Sequence, residues 1–175
     1  MLKAIYYSYF HSIISYGVIF WGHTVPSTRV LRLQKRIIRI MMGSKSKDSC
    51  RKLFTSLKIL SLPSLYIFSL LRFVIKSKDL FSTNSDTHSY GTWHLIIHLD
   101  FHYPSANLKK FQTGVHYMSV KIYNSLPIYI KNEINNKKNL NPSWRNFYLR
   151  THFIHWKNFT ISHKDSFTLF LLITF

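Results

Sequence analysis

Six carboxylates are available to this chain: Asp48, Asp79, Asp86, Asp100, Glu133 and Asp165. The closest pair in sequence is Asp79 and Asp86, and neither Asp-Asp nor Asp-x-Asp occurs. Two-metal phosphoryl transfer needs carboxylates that converge on a pair of ions, so the spacing argues against that chemistry. His94, His98 and His102 would share one face of a helix and could there ligate a metal. However, Leu95, Ile97, Leu99, Phe101 and Tyr103 alternate with His94, His98, Asp100 and His102, with Ile96 as the one exception. That period reads as a half-buried strand. Residues four apart on a strand lie about 13 Å from one another, whereas zinc ligands sit within about 2.1 Å of the metal. His152 and His155 lack a third partner. The single cysteine, Cys50, excludes an internal disulfide framework and any multi-thiolate zinc site. There is no glycine-rich phosphate loop and no serine nucleophile elbow. The residues therefore lead to the expectation of no catalytic group, no metal and no cofactor.

The chemistry that remains is cationic. Between Ser15 and Gly43 the sequence reads SYGVIFWGHTVPSTRVLRLQKRIIRIMMG. Pro26, Ser27 and Thr28 supply turn and N-cap chemistry, and Gly43 stands where a C-cap glycine belongs. At about 100° per residue, Val30, Leu31, Leu33, Ile37, Ile38, Ile40, Met41 and Met42 share one arc. Arg29, Arg32, Lys35, Arg36 and Arg39 fill the opposite arc. No acid occurs on this helix, so i,i+4 ion pairing cannot explain the cations. Such a cluster along one helix is the expected footprint of a surface that meets phosphates. Arg51, in the next segment, completes the candidate nucleic-acid-binding set.

The whole chain supports that reading. Its 175 residues carry 24 lysines and arginines against 6 acids, a formal net charge of +18, while 46% are hydrophobic. The hydrophobic share is that of a folded domain. The charge attracts polyanions, nucleic acid first and an anionic membrane second. With 17% of residues charged, the surface has room for an apolar face that meets another part of a larger protein.

The elements that must position the cations follow in order. Residues 1–20 form a helical pattern in which Leu2, Ile5, Tyr6, Tyr9, Ile13 and Tyr16 share a face. Tyrosines, serines and His11 interrupt it, and no small-residue cleavage site follows, so a signal peptide is rejected, and the segment is too polar for a membrane span. Asp48 or Ser49 caps a short helix over residues 50–57 that buries Leu53, Phe54 and Leu57. Pro63 opens a strongly apolar helix ending near Lys78; Arg72 interrupts it, and a buried core helix is expected rather than a span. Residues 81–91 are turn-forming. A helix over 113–124 buries His116 or Tyr117, Val120 and Tyr123. Residues 134–141 read as an Asn/Lys-rich linker, and a last helix follows Pro142. The tail ends in the apolar run FTLFLLITF, too short to span a bilayer. The expected fold is mainly α, a helical bundle with at most a short strand or hairpin near 93–103. Its expected parts are residues 1–78, a loop and possible strand over 79–112, a helical region over 113–158, and the tail 159–175. Leu53, Phe54, Leu65, Phe68 and Leu71 are expected in one core.

Five phrases occur in order: SYGVIFWG at 15–22, LQKRIIRIMMG at 33–43, SCRKLF at 49–54, LKILSLPSLYIF at 57–68 and VKIYNSLPIYIKN at 120–132. Together they resemble the C-terminal part of the reverse transcriptase of non-LTR retrotransposons, the jockey-like or LINE class, over roughly residues 2–155. The resemblance implies the thumb and the extension beyond the polymerase palm, a helical region that grips the template–product duplex. The helix at 29–42 suits that grip. The family's catalytic Tyr-x-Asp-Asp box lies upstream of this region and is not in this sequence, so no catalytic residue carries over. Where the family often has an Asn- or Asp-Thr-Arg element after a His-x-Tyr, this chain has His88-Ser89-Tyr90-Gly91-Thr92 followed by Trp93. The single cysteine excludes a zinc knuckle, and the chain after about Lys157 does not match.

The function expected is a non-catalytic piece of an RNA-directed DNA polymerase, bound to a DNA or RNA duplex without sequence preference, with the polymerase palm as a second partner. Its expected place is intracellular, in cytoplasm or nucleus, without a stable membrane span. Two alternatives stand beside it. One is an interaction or structural fragment or decayed relic with no independent function. The other is a basic amphipathic protein lying on an anionic membrane.

Overall fold

A computed structural model describes residues 1–87, 100–128, 131, 132 and 134. The protein is mainly helical, with no strand among these residues. Two compact units divide the chain; of the described residues, 1–66 belong to the first and 67–134 to the second.

The first unit begins with α1 (Leu2–Ile5), a π-helical segment (Tyr6–His11) and α2 (Ser12–Ser15), which run without a break as one rod. Gly17, at φ +65°, turns the chain into α3 (Val18–Trp21). Linked four-residue turns, each closed by a hydrogen bond between residues three apart, then carry it into α4 (Ser27–Met42). A loop leads to α5 (Cys50–Leu57), and α6 (Leu62–Lys76) starts in this unit and ends in the second. The core gathers Tyr6, Ile38, Cys50, Phe54 and Ile59, with Tyr7, Phe10, Ile37, Met41, Leu53 and Leu57 packed around them.

Helix ends follow local rules. Gly43 adopts the left-handed conformation at φ 62°. The Ser44 N–H reaches the Arg39 carbonyl, and the Gly43 N–H reaches that of Ile40; this is the Schellman pairing. The same pairing ends α5, with Ile59 N–H on Phe54 and Lys58 N–H on Thr55. There the left-handed residue is Lys58 at φ 53°, not a glycine. Ile59 is fully buried and joins Phe54 in the core, so the hydrophobic contact across the cap offsets the strain. Pro63 falls in the first turn of α6, where its missing N–H costs nothing.

Several expectations are corrected. Leu2, Ile5, Tyr9, Ile13 and Tyr16 do share a face of the rod, but that face is exposed; Tyr6 and Ile14 are the buried residues. Both sides of this rod are apolar, so periodicity could not choose between them. The inner side wins because Tyr6 packs against Phe10 and Tyr7 and its hydroxyl finds a buried partner. Ser27 and Thr28 do not cap α4. Their hydroxyls donate backward to the carbonyls of Thr24 and Val25, and Pro26 holds the N-cap position. Ser49, not Asp48, is the N-cap of α5, and its side chain makes no cap bond. Leu33, Ile40 and Met42 of α4 are exposed. Of the five expected core residues, Phe54, Leu65 and Leu71 are buried and Leu53 and Phe68 half-buried, divided between the two units.

The second unit holds the later part of α6, a 3-10 turn (Lys78–Leu80), α7 (Asn84–Thr87), α8 (Lys109–Gln112) and α9 (Val115–Asn124). Leu70, Leu71 and Val74 of α6 and Val120 and Tyr123 of α9 are fully buried. Aromatic rings link Phe73, Phe81, Phe101 and Tyr123. His116, expected as a core candidate, is exposed on α9 and stacks on Phe81 at 4.6 Å. Of the strand expected near 93–103, residues 93–99 lie outside the described residues. Phe101 makes an isolated antiparallel bridge with Thr83. The side-chain amide of Asn124 takes the place of a neighbouring strand, accepting the Phe101 N–H and donating to its carbonyl, each at 2.9 Å. The Lys131 ammonium is buried against the Asp100 carboxylate and the Asn124 carbonyl.

Candidate functional site

The orientation of α4 depends on one amide in its buried stripe. Gln34 is fully buried. Its Nε2 donates to the Tyr6 hydroxyl at 2.8 Å and to the Leu60 carbonyl at 2.9 Å, and its Oε1 accepts the Leu62 N–H at 2.9 Å. The Leu62 N–H is one of the donors that a helix leaves unpaired at its start. Gln34 thus ties the rod, the 59–62 turn and the first residue of α6 to the centre of α4. Sequence reasoning passed over it, although it is the one amide side chain in α4.

With Ser27, Leu31, Gln34 and Ile38 facing inward, the opposite arc faces out. Arg29, Arg32 and Arg36 are exposed there. Lys35 is half-buried at the edge, and burial first, then the charges of Arg39 and Arg32, hold its pKa below the usual lysine value against the opposing pull of Cys50. Arg39 is also half-buried and has a structural task. Its Nε and Nη2 both donate to the Asp48 carbonyl, at 3.1 and 3.0 Å, which fixes the loop between α4 and α5. Arg51 lies exposed in the first turn of α5. The candidate set therefore separates into Arg29, Arg32 and Arg36 on the open face, Lys35 and Arg39 at its packed edge, and Arg51 on the neighbouring helix.

Helix stability does not account for this arrangement. Residues 1–66 contain eleven lysines and arginines and one acid, Asp48, whose carboxylate accepts the Lys45 N–H. Arg29 sits in the first turn, where a cation opposes the helix dipole. Arg32 and Arg36 are like charges four apart, a spacing that costs about 0.2–0.5 kcal/mol per pair. An anion across the face would relieve both. Leu33 and Ile40, whose exposure the charge pattern did not reveal, interleave with Arg29 and Arg36 on the same side.

No family model, curated protein or solved structure matches this chain. The site is accordingly read from its own residues. Among the described residues no group of three or more His, Cys, Asp or Glu could hold a metal ion; His94, His98, His152 and His155 lie outside them. No single described helix is long and apolar enough to cross a membrane.

Two half-buried or buried groups flank the α3 turn. The ring of His23 stands 5.9 Å from that of Tyr66. Burial lowers the His23 pKa from its usual value and raises that of the Tyr66 phenol well above its own. Among the described residues, neither the His23 Nδ1 nor the Tyr66 hydroxyl has a hydrogen-bond partner. Gly22 packs directly on Tyr66, where a Cβ would come within 2.5 Å of the ring.

Proposed function

We propose that the outer face of α4 grips the sugar–phosphate backbone of a nucleic-acid duplex without reading its sequence, in a non-catalytic role like that of the post-palm region of the retrotransposon reverse transcriptases that the sequence resembles. The observation that carries this reading is the exposure of Arg29, Arg32 and Arg36 on a helix whose own stability they reduce, held in place by Gln34. Arginine forks pair phosphates bidentately, and contacts of this kind position a protein on a duplex and carry no sequence information. Seven residues of helix span about 10 Å, a reach of a few phosphates.

The test is a salt series on one duplex. Arg29, Arg32 and Arg36 are replaced together by Ala, and the control replaces Lys76, Lys109 and Lys110. Both variants remove three charges from exposed positions. The slope of log affinity against log salt should shrink by about 0.9 for each phosphate no longer neutralised on B-form DNA in the α4 variant, and by much less in the control. Equal slopes would remove α4 as the binding surface.

A second reading has one observation in its favour. Exposed Leu33 and Ile40 beside Arg29 and Arg36 also suit a helix lying on an anionic membrane. Co-sedimentation with anionic but not neutral vesicles, with no duplex binding, would favour it.

A further inference from the structure

The open face of α4 is graded from one side to the other. At about 100° per residue, Arg29, Leu33, Arg36 and Ile40 fall on one line down the helix, within about 60° of arc. Each arginine on that line is followed by an aliphatic side chain, Leu33 54% and Ile40 68% exposed. Arg32, Lys35 and Arg39 lie along one side of the line. Val30 and Ile37, both half-buried, lie along the other. The face therefore runs from cationic through mixed to aliphatic. Leu33, Ile40, Val30 and Ile37 carry no side-chain donor or acceptor. A polar group brought against that side loses water and gains no hydrogen bond in return.

We infer that the aliphatic side of α4 lies over the sugars of the strand it grips and selects deoxyribose over ribose, so that the held strand is DNA. The inference rests on the proposed grip of α4 on a duplex backbone and names the chemistry of that backbone. The arginines take phosphates, which DNA and RNA share and which carry no further information. Sugars separate successive phosphates along a strand, as Leu33 and Ile40 separate and follow the arginines along the helix. Deoxyribose offers carbon and hydrogen to such a surface. Ribose adds a 2′-hydroxyl, which A-form RNA displays in its wide, shallow minor groove. Against Leu33 and Ile40 that hydroxyl finds no partner, whereas the deoxyribose carbon buries apolar surface on both sides. A closed apolar pocket rejects an added hydroxyl by about 100-fold, and an open face, where the hydroxyl keeps part of its water, should reject it by about tenfold.

Affinities of the full chain for three duplexes of one sequence, at one salt concentration, test it. The duplexes are DNA, RNA, and RNA with fluorine in place of every 2′-hydroxyl, which keeps the A-form and removes the hydroxyl. Wild type should bind DNA about tenfold more tightly than RNA, with the fluoro duplex close to DNA. Leu33→Gln combined with Ile40→Gln puts amides that can pair with a hydroxyl on the same line. Both positions are exposed and glutamine is a good helix former, so the fold should be unchanged and the preference for DNA should disappear. Equal wild-type affinities for DNA and RNA, a preference for RNA, or a fluoro duplex as weak as RNA would each overturn the inference, as would a DNA preference that survives the double substitution. The grip itself is read separately from the combined Arg29→Ala, Arg32→Ala and Arg36→Ala variant. If that variant loses affinity for DNA and RNA alike while wild type does not distinguish them, the grip stands and the sugar selection falls. If wild type binds none of the duplexes, or the arginine variant binds all of them unchanged, both fall together.

Discussion

Replacing Gln34 with Leu keeps the volume of the buried stripe nearly constant and removes three hydrogen bonds at once. The Leu60 carbonyl and the Leu62 N–H lose the partners shown for them at 2.9 Å, and both residues are buried, at 4% and 0% exposure. A buried backbone group left without a partner costs about 1–3 kcal/mol, so two cost about 2–6. The leucine returns about 1–2 kcal/mol through added apolar burial. The expected net loss is about 0–5 kcal/mol, centred near about 2.5, read as a lower midpoint in urea by far-UV circular dichroism. In a domain of this size each kcal/mol lowers the melting temperature by roughly 4–8 °C. Gln34→Glu supplies an internal control. Its carboxylate can still accept the Leu62 N–H but cannot donate to Leu60 until it is protonated. Burial raises the pKa of such an acid, so the variant should be most stable below the unfolded value of about 4.3 and lose stability as pH rises through the raised folded value. A Gln34→Leu protein no less stable than wild type would refute the reasoning, because the three bonds would then add nothing beyond what water supplies.

Lys58→Gly should stabilise the first unit by about 0.5–1 kcal/mol, since relief of a left-handed lysine exceeds the entropy cost of glycine; a denaturant midpoint measures it. Gly22→Ala should destabilise by about 1–3 kcal/mol through overpacking against the Tyr66 ring and the Val18 carbonyl, and an unchanged melting curve would refute this. The folded pKa of His23 lies below its unfolded value of 6.5, so its contribution is present above 6.5 and is lost as pH falls through the lower folded value. Wild type should therefore lose more stability than His23→Phe when pH is taken from about 7.5 to about 5, and parallel pH profiles for the two proteins would rule this out.

The sequence by itself determined what local rules govern. Charge and apolar residues separate around α4 at the helical period, Gly43 ends it in the left-handed conformation, and the mainly helical character follows from the same patterning. Tertiary structure decided which of several locally acceptable faces went inward. The rod has apolar residues on both sides, and its inner side is set by the packing of Tyr6 and the bond from Gln34, partners 28 residues apart. Arg39 looks like its neighbours in the pattern, yet the loop that returns Asp48 to it turns it into a structural clamp. Leu33 and Ile40 belong to the apolar arc by angle, yet stay in solvent because the neighbouring elements cover only the arc around Leu31, Gln34 and Ile38. Periodicity reports which residues share a face; only the elements packed against that face decide whether it is covered.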